Sequence, residues 1–315
     1  MKVFRCVETY DLEESKHPIV LSIGNFDGVH RGHQEVIRTL SQVAKKNSLK
    51  SAILTFEPHP KRVLFNPDFR TLQDIEEKCS IISLLKIDIL ISHPFTKDFS
   101  KLSPREFTVG ILKQRLNVSH VVVGSDFCCG NNLSGRVTEI KEIFKENHIE
   151  IIIVPPYVYE NKEVHTSFIR DLIQNGQVAE ANKFLFSPYS LSGQVVHGKC
   201  RGTELGFPTI NIYNDKKVIP AKGVYATRVL FNGAYYDSVT NIGICPTFGK
   251  EKLKIETHLL DFNQNIYSKY VQLVFFKRLR NEQKFESKES LIEEIKRDIK
   301  ARKELHLDYS IPITE

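Results

Sequence analysis

Residues 19–33 read Ile-Val-Leu-Ser-Ile-Gly-Asn-Phe-Asp-Gly-Val-His-Arg-Gly-His, and this stretch decides the fold of the first half of the chain. Its first five residues form a short apolar run, typical of a buried strand, that ends at Gly24. Apolar residues then recur at helical spacing over residues 36–43. The stretch therefore predicts a strand, a glycine-rich turn and a helix. Because a helix N-terminus offers free N–H groups and a positive dipole, this turn is a candidate phosphate site.

Two histidines stand at the end of this turn. His30 and His33 lie on either side of Gly32, close enough to face one phosphate group together. Imidazole N–H groups can donate hydrogen bonds to the charge that develops at a phosphorus under attack. Ligands of parallel sheets bind beyond the carboxyl ends of the strands, which favours this interpretation. A plain glycine-rich turn with two surface histidines remains open, as does a zinc site, although no third ligand is obvious.

The rest of the first half alternates between strand-like and helical patterns. Apolar runs lie at residues 51–56, 87–92, 121–123 and 149–154, and helical patterns lie at residues 75–85, 104–116 and 137–147. Continuous apolar runs of this kind indicate strands that are buried on both faces. The alternation predicts βαβ units and a parallel sheet with helices on both faces.

The pattern changes after about residue 170. Two short helical segments, at residues 167–175 and 177–186, precede a break at Ser187-Pro188. Strand-like runs follow at residues 193–196, 223–231, 235–242, 253–260 and 270–276, and an amphipathic helix at residues 287–303 ends the fold. Asn232-Gly233, between two of the runs, is a strong hairpin signal. The sequence therefore predicts domains at residues 1–186 and 187–315, the second a small antiparallel β-barrel with a terminal helix.

Composition limits the classes of function. The chain has 315 residues, 44 Lys and Arg against 38 Asp and Glu, and a net charge of +6. This excess is small for a nucleic-acid-binding protein, although binding by the barrel remains a weaker alternative. No apolar run approaches the roughly 20 residues of a membrane helix, and the N-terminus has no apolar secretory region. We therefore expect a cytoplasmic protein, monomeric or weakly homo-oligomeric, whose six cysteines are free thiols.

Several motifs in the first half resemble one family. Residues 24–33, with Thr55-Phe56-Glu57-Pro58-His59-Pro60 one strand later, resemble the adenylyltransferase half of bacterial bifunctional riboflavin kinase/FAD synthetases. Three further segments match the family in order: Glu77-Lys78, Phe99-Ser100-x-Leu102-Ser103-x-x-Glu106-Phe107 and Val122-Val123-Gly124-x-Asp126-Phe127. The resemblance implies a Rossmann-like nucleotidyltransferase domain.

The same resemblance implies site residues. His30 and His33 would be catalytic, and ten residues would contact nucleotide or flavin: Gly24, Asn25, Phe26, Asp27, Gly28, His59, Asp126, Thr166, Ser167 and Arg170. His59 is alternatively part of a rigid turn between two prolines, and Asp126 a turn former at a strand end. The chain departs from the family at four positions: Cys128 and Cys129, which stand for an Arg-Phe pair, Leu133 and His165.

The second half carries the most specific motif. Gly193-x-Val195-Val196-His197-Gly198 leads into Gly202-x-x-Leu205-Gly206-Phe207-Pro208-Thr209-x-Asn211, which resembles the flavokinase signature, with Thr203 in place of the usual Arg. Gly198, Gly206, Phe207 and Pro208 are the implied substrate contacts. Thr209 and Asn211, two apart on an extended segment, point the same way and offer oxygen ligands suited to Mg²⁺. Alternatively, these two residues cap a turn of the barrel.

Two more residues follow from the resemblance. Glu256, in Glu256-x-His258-Leu259-Leu260-Asp261-Phe262, is implied as the general base. From an inward strand position, its carboxylate would take the proton of a primary hydroxyl that attacks the γ-phosphate. Arg280, in Leu279-Arg280-x-Glu282-x-Lys284-Phe285, is the candidate flavin or phosphate contact. The alternatives are a surface strand glutamate and an exposed arginine at the entry of a helix.

The resemblance implies an enzyme of flavin cofactor synthesis. It would phosphorylate riboflavin to FMN with MgATP, then transfer AMP from a second ATP to FMN, which forms FAD and releases pyrophosphate. Riboflavin, FMN and ATP are the expected partners and Mg²⁺ the expected cofactor, with no nucleic acid or membrane. The alternative is a riboflavin kinase whose N-terminal half is silent or only binds nucleotide.

Overall fold

A computed structural model describes residues 1–10, 16–129, 135–197, 201–247 and 250–305. Its contacts divide the chain into two compact units, here called the first unit, which ends at Thr166, and the second unit, which begins at Ser167. No helix in the described ranges is long and apolar enough to cross a membrane.

The first unit is built on a parallel sheet. Its strands are β1 (Lys2–Phe4), β2 (Ile19–Ile23), β3 (Lys50–Phe56), β4 (Ile89–His93), β5 (Val118–Gly124), β6 (Cys128–Cys129), β7 (Gly135–Arg136), β8 (Glu150–Val154), β9 (Val158–Tyr159) and β10 (Lys162–Glu163). Six of them form the main sheet in the order β1-β4-β3-β2-β5-β8. Every pair in it is parallel, which confirms the predicted class of sheet.

Helices cover this sheet. They are α1 (Arg31–Lys46), α2 (Pro60–Leu64), α3 (Ile75–Leu84), α4 (Pro104–Glu106), which continues as a π-helix (Phe107–Arg115), and α5 (Val137–Glu146). Helix α1 packs on β2, β3 and β5, because Val36, Ile37 and Leu40 form its buried stripe. All five residues of β2 are buried, which explains its continuous apolar run.

The strand order identifies where a ligand would bind. From β2, the chain continues to β3 on one side, whereas β5 lies on the other side. This reversal is a topological switch point, and in open parallel sheets ligands bind at the carboxyl ends of the strands that flank it. The turn that follows β2 and the turn that follows β5 therefore frame the candidate site of the first unit.

The second unit begins with two helices and continues as a closed barrel. Its elements are α6 (Thr166–Gln174), which starts on the last residue of the first unit, α7 (Val178–Asn182), β11 (Ser190–Val196), α8 (Arg201–Glu204), β12 (Ile210–Ile212), β13 (Gly223–Phe231), β14 (Ala234–Thr247), β15 (Lys250–Leu259), β16 (Tyr270–Arg280) and α9 (Lys288–Glu304). The antiparallel barrel closes in the order β11-β12-β15-β14-β13-β16. Asn232 and Gly233 join β13 to β14 with φ of 49° and 78°, as the predicted hairpin requires.

The interior of the barrel contains a chain of hydroxyl groups. The Thr227 hydroxyl lies 2.8 Å from those of Ser238 and Thr240, and Thr240 lies 2.9 Å from Thr257. All four side chains are fully buried, so each hydroxyl finds its partner inside. Because successive side chains of a strand alternate in direction, Thr257 in the interior places Glu256 on the outer face. The inward position predicted for Glu256 is therefore wrong.

The residues just before the predicted boundary at 186/187 pack on the barrel. Helix α7 contacts β16, and the Asn182 amide donates a 2.8 Å hydrogen bond to the Phe275 carbonyl. The Asn182 amide oxygen accepts a second one, of 2.8 Å, from the Tyr189 N–H. The second unit thus includes α6 and α7, and the independence of the two predicted domains stays a prediction.

Candidate active sites

The turn after β2 is held by contacts from inside the first unit. Phe26, Gly28 and Val29 have positive φ of 47°, 94° and 37°, a conformation that is costly for the β-branched Val29. The buried Asp27 carboxylate accepts hydrogen bonds from the N–H groups of Leu72, at 2.7 Å, and Gln73, at 3.1 Å. These two bonds fix the turn to the segment that bears Leu72 and Gln73, and Asp27 therefore has a structural role.

The structure brings His30, His33 and Thr166 together. His30 is the N-cap of α1, and its Nδ1 accepts a 3.4 Å hydrogen bond from the His33 N–H. An Nδ1 that accepts leaves the proton of a neutral ring on Nε2, which lies 3.3 Å from the Thr166 hydroxyl. The two imidazoles stack with their centroids 3.7 Å apart. This grouping agrees with the predicted catalytic pair, whose role stays a prediction.

Burial keeps both imidazoles uncharged. It lowers the pKa of His30 to about 4, with a further lowering from the nearby His165. Burial also lowers the pKa of His33 well below its usual range, helped by the charges of His30 and Lys78. A neutral His33 ring can still donate one hydrogen bond to a phosphate oxygen, whereas the single N–H of a neutral His30 ring faces the Thr166 hydroxyl. The Nδ1 atom of His33 is buried and has no hydrogen-bond partner among the described residues.

Gly32 gives the His30 ring its space. A Cβ atom on Gly32 would lie 3.1 Å from Cε1 and 3.2 Å from Nδ1 of His30. Such distances are shorter than ordinary van der Waals contact, so a side chain here would displace the imidazole. The glycine between the two histidines is therefore required by the packing of the pair.

Other predicted residues of the first unit lie around this centre. Asp126 is exposed in the turn that follows β5, at the sheet edge where a ligand is expected. The His165 Nε2 lies 2.9 Å from a Glu163 carboxylate oxygen. His59 is the N-cap of α2 and packs on the Phe69 ring, with centroids 4.7 Å apart. These contacts match the turn interpretation of His59, and its ligand contact stays a prediction.

For some predicted site residues the structure does not test a ligand contact. Ser167 and Arg170 lie on the first turn of α6, and their nucleotide contacts stay predictions. Gly198 and Leu133 lie outside the described residues, as does the side chain of Thr203.

A second candidate site lies in the second unit, on the outer face of the barrel. A cavity of about 510 Å³ is bounded by β12, β14, β15 and one side of α9. The cavity gathers predicted residues from three separate segments, namely Phe207, Thr209 and Asn211 from the first, Glu256 from β15 and Arg280 from β16. It is large enough for a small organic ligand.

A row of polar side chains crosses the floor of this cavity. Glu256 on β15 lies opposite Asn211 on one neighbouring strand and Asn241 on the other. The Lys254 ammonium lies 3.5 Å from a Glu256 carboxylate oxygen. Our sequence reasoning did not assign Asn241 or Lys254 to the site. Lys254 stands two residues before Glu256, and this spacing alone would have placed both on one face of a strand.

The segment that bears Thr209 is fixed to β15. His258 Nδ1 lies 2.7 Å from the Pro208 carbonyl oxygen, and the Phe207 ring packs edge-on against His258. Gly206 has a φ of 85°, a conformation that favours glycine. A Cβ atom on Gly202 would collide with the Phe207 carbonyl oxygen. Gly202 and Gly206 thus allow the backbone conformation that places Thr209 in the cavity.

Arg280 lines the cavity, but its guanidinium is bonded to α9. Its Nε and Nη2 donate hydrogen bonds of 3.0 Å and 2.9 Å to the two carboxylate oxygens of Asp298. A Glu294 oxygen lies 3.5 Å from Nε. Burial raises the pKa of Asp298, and the bonds from Arg280 oppose that rise. Arg280 therefore joins the end of β16 to α9, and its contact with flavin or phosphate stays a prediction.

Comparisons with known proteins cover both units. The FAD synthetase family model matches residues 12–168, and the riboflavin kinase family model matches residues 185–306. A bifunctional riboflavin kinase/FMN adenylyltransferase of Listeria monocytogenes is 37% identical over 283 residues, 89% of this chain and 90% of the relative. One from Buchnera aphidicola (subspecies Schizaphis graminum) is 35% identical over 304 residues, 95% of this chain and 97% of the relative.

A solved structure has the same fold over nearly the whole length of this chain. It is described as a macrolide-efflux protein from Streptococcus pneumoniae, with a TM-score of 0.86, 30% identity, and coverage of 98% of this chain and 99% of that chain. Both halves thus match family models in the order that the motifs predict, and relatives match almost end to end. The chain belongs to the family of bifunctional riboflavin kinase/FMN adenylyltransferases.

Proposed function

We propose that this chain phosphorylates riboflavin to FMN and then adenylylates FMN to FAD, with ATP as the co-substrate of both steps. The observation that carries the proposal is that one chain of this family holds two separate sets of polar groups. One is the His30–His33 pair at the N-terminus of α1. The other is the Thr209–Asn211–Glu256 set in the cavity of the barrel.

In the kinase step, Glu256 acts as the general base. Its carboxylate takes the proton of the primary hydroxyl of riboflavin while that oxygen forms a bond to the γ-phosphorus of ATP, and ADP leaves. Asn211 and Asn241, on either side of Glu256, can orient substrate by hydrogen bonds. A single cavity that holds all three side chains supports this assignment.

Thr209 and Asn211 are suited to hold Mg²⁺ in the same cavity. A hydroxyl and an amide oxygen are hard ligands, and Mg²⁺ commonly takes few protein ligands beside phosphate oxygens and water. When bound, the ion neutralises negative charge on the phosphates. The position of both residues on the wall that bears Glu256 supports this use.

In the adenylyl transfer step, a phosphate oxygen of FMN attacks the α-phosphorus of ATP, and pyrophosphate leaves. The neutral ring of His33 donates a hydrogen bond to an oxygen of the reacting phosphorus, and the His30 Nε2–H does so by exchanging its bond to the Thr166 hydroxyl for one to the phosphate. The N–H groups of α1 add positive potential. The Thr166 hydroxyl, 3.3 Å from His30 Nε2, helps to orient that ring. We place both reactions in the cytoplasm, where free thiols such as those of Cys6 and Cys79 stay reduced.

The test uses the purified full-length chain with riboflavin and MgATP, and separates riboflavin, FMN and FAD by chromatography. We expect both products. Glu256→Gln should make FMN from riboflavin far more slowly yet still make FAD from added FMN, and His33→Ala should do the reverse. FMN without FAD from a folded wild-type protein would instead support a kinase with a silent N-terminal half. Neither product would refute the proposal.

A further inference from the structure

Lys78, on helix α3, lies inside the first unit and contacts the turn after β2. The Lys78 side chain is 4% exposed. Its ammonium donates hydrogen bonds of 2.8 Å to the Asn25 carbonyl and 3.2 Å to the Thr55 hydroxyl. Both acceptors are neutral, and two neutral acceptors only partly offset the desolvation of a buried ammonium. Because the desolvation of this ammonium costs free energy, we expect Lys78 to have a role besides packing.

The ammonium controls the direction of one peptide in the turn. The Asn25 carbonyl accepts from Lys78 and also, at 3.1 Å, from the Thr55 hydroxyl. The Asn25–Phe26 peptide is trans, so its N–H points away from its carbonyl. A carbonyl held toward the interior therefore turns the Phe26 N–H to the opposite side, the open side of the turn. Phe26 keeps its positive φ of 47° in this arrangement.

The ammonium also acts on the histidine pair by its charge. Lys78 is one of the groups that lower the pKa of His33, after burial and the His30 ring. Burial lowers the pKa of Lys78 itself, and the negative charges of Asp27, Glu57 and Asp74 oppose that shift. Positive charge at Lys78 thus favours an uncharged His33.

We propose that Lys78 is a positioning residue for adenylyl transfer, which fixes the Asn25–Phe26 peptide so that its N–H faces the phosphate and adds positive charge behind His33. The inference rests on the proposed adenylyl transfer at this site. Lys78 does not touch the substrate, because the turn lies between them. It acts through the backbone of the turn and through the positive potential that it adds near His33.

Three variants separate these effects. Lys78→Met removes the charge and keeps the approximate shape, and Lys78→Arg restores the charge. Thr55→Val removes the two hydrogen bonds of the Thr55 hydroxyl, to Lys78 and to the Asn25 carbonyl, while the charge stays. Lys45→Met, at an exposed position in the last turn of α1, is the control for the loss of one positive charge. Urea unfolding of each protein reports whether the first unit is folded, because the riboflavin kinase rate depends on residues of the second unit only. FAD synthesis from FMN gives kcat and KM, and NMR of the imidazole protons follows the titration of His33.

We expect Lys78→Met to lower the kcat of FAD synthesis by about 10- to 100-fold, with an unchanged kinase rate. The pH at which His33 titrates should rise. Lys78→Arg should restore most of the kcat and the low titration of His33. Thr55→Val should lower kcat by about threefold and leave the titration of His33 in place, and Lys45→Met should change neither quantity.

A Lys78→Met protein with a normal kinase rate, kcat and His33 titration would overturn the inference. If the wild-type chain makes no FAD, the proposed function fails, and the His33 titration still decides the role of Lys78. If urea unfolding shows that Lys78→Met is not folded, Lys78→Arg and Thr55→Val decide instead. The inference would then be overturned if His33 titrates at a higher pH in Lys78→Arg than in the wild type, or if kcat is unchanged in Thr55→Val.

Discussion

Replacing Gly32 by alanine should change stability and catalysis in opposite directions. Gly32 is the second residue of α1, where alanine is favoured over glycine by up to about 1 kcal/mol. The new Cβ would lie 3.1 Å from Cε1 of His30, so the imidazole must move by a few tenths of an ångström. A misplacement of 1 Å can cost about 100-fold in rate, so a shift of this size should lower the kcat of FAD synthesis by about tenfold.

The measurement pairs FAD synthesis from FMN with urea unfolding of the same protein. Gly32→Ala should unfold at an equal or higher urea concentration, and its riboflavin kinase rate should be unchanged. Gly110→Ala is a matched control, because a Cβ on that helical glycine has no atom within 4 Å. Full adenylyltransferase activity in Gly32→Ala would refute the claim that the His30 ring needs its present position.

Four further outcomes follow from the two sites. Glu256→Gln should lower the kinase kcat by about 10²–10⁴-fold, with FAD synthesis from FMN retained. Thr209→Val should raise the Mg²⁺ concentration needed for half-maximal kinase activity, in a titration with the wild type alongside. Residues 187–315 should make FMN but no FAD, and unfold at lower urea than residues 167–315, because they lack α7. As pH falls from about 6.5 to about 4, the unfolded chain binds more protons at His30 than the folded one, so His30 alone should lower the free energy of unfolding by up to about 3 kcal/mol. His30→Gln should remove this part of the drop and leave the part due to His33, whose pKa burial also lowers.

Much of the first unit could be predicted because its strands are buried on both faces. A continuous apolar run such as β2, followed by a helical pattern with a clear apolar stripe such as α1, is typical of a strand–turn–helix unit. Strand β1 was not predicted, because it has three residues and pairs only with the edge of β4. The sequence indicated a helix over residues 104–116, but its π-helical section (Phe107–Arg115) depends on tertiary packing that no local pattern shows.

The direction of Glu256 could not be predicted because the interior of the barrel is partly polar. In β15, Ile255, Thr257 and Leu259 alternate with Glu256 and His258. An inward threonine looks like a surface residue until its hydroxyl is seen to bond to another buried hydroxyl. The bonds of Arg280 to α9 were hidden for a different reason, since Asp298 is 18 residues away in sequence.

The chain of buried hydroxyls has a consequence for how the kinase half can vary. The hydroxyls of Thr227, Ser238, Thr240 and Thr257 bond to one another inside the barrel, while Asn241 and Glu256 stand on the opposite side of β14 and β15. These two strands therefore have one set of side chains that packs in the interior and another set that faces the ligand. A wall residue such as Lys254 can thus be substituted without repacking the interior, and the interior can be repacked without moving the base.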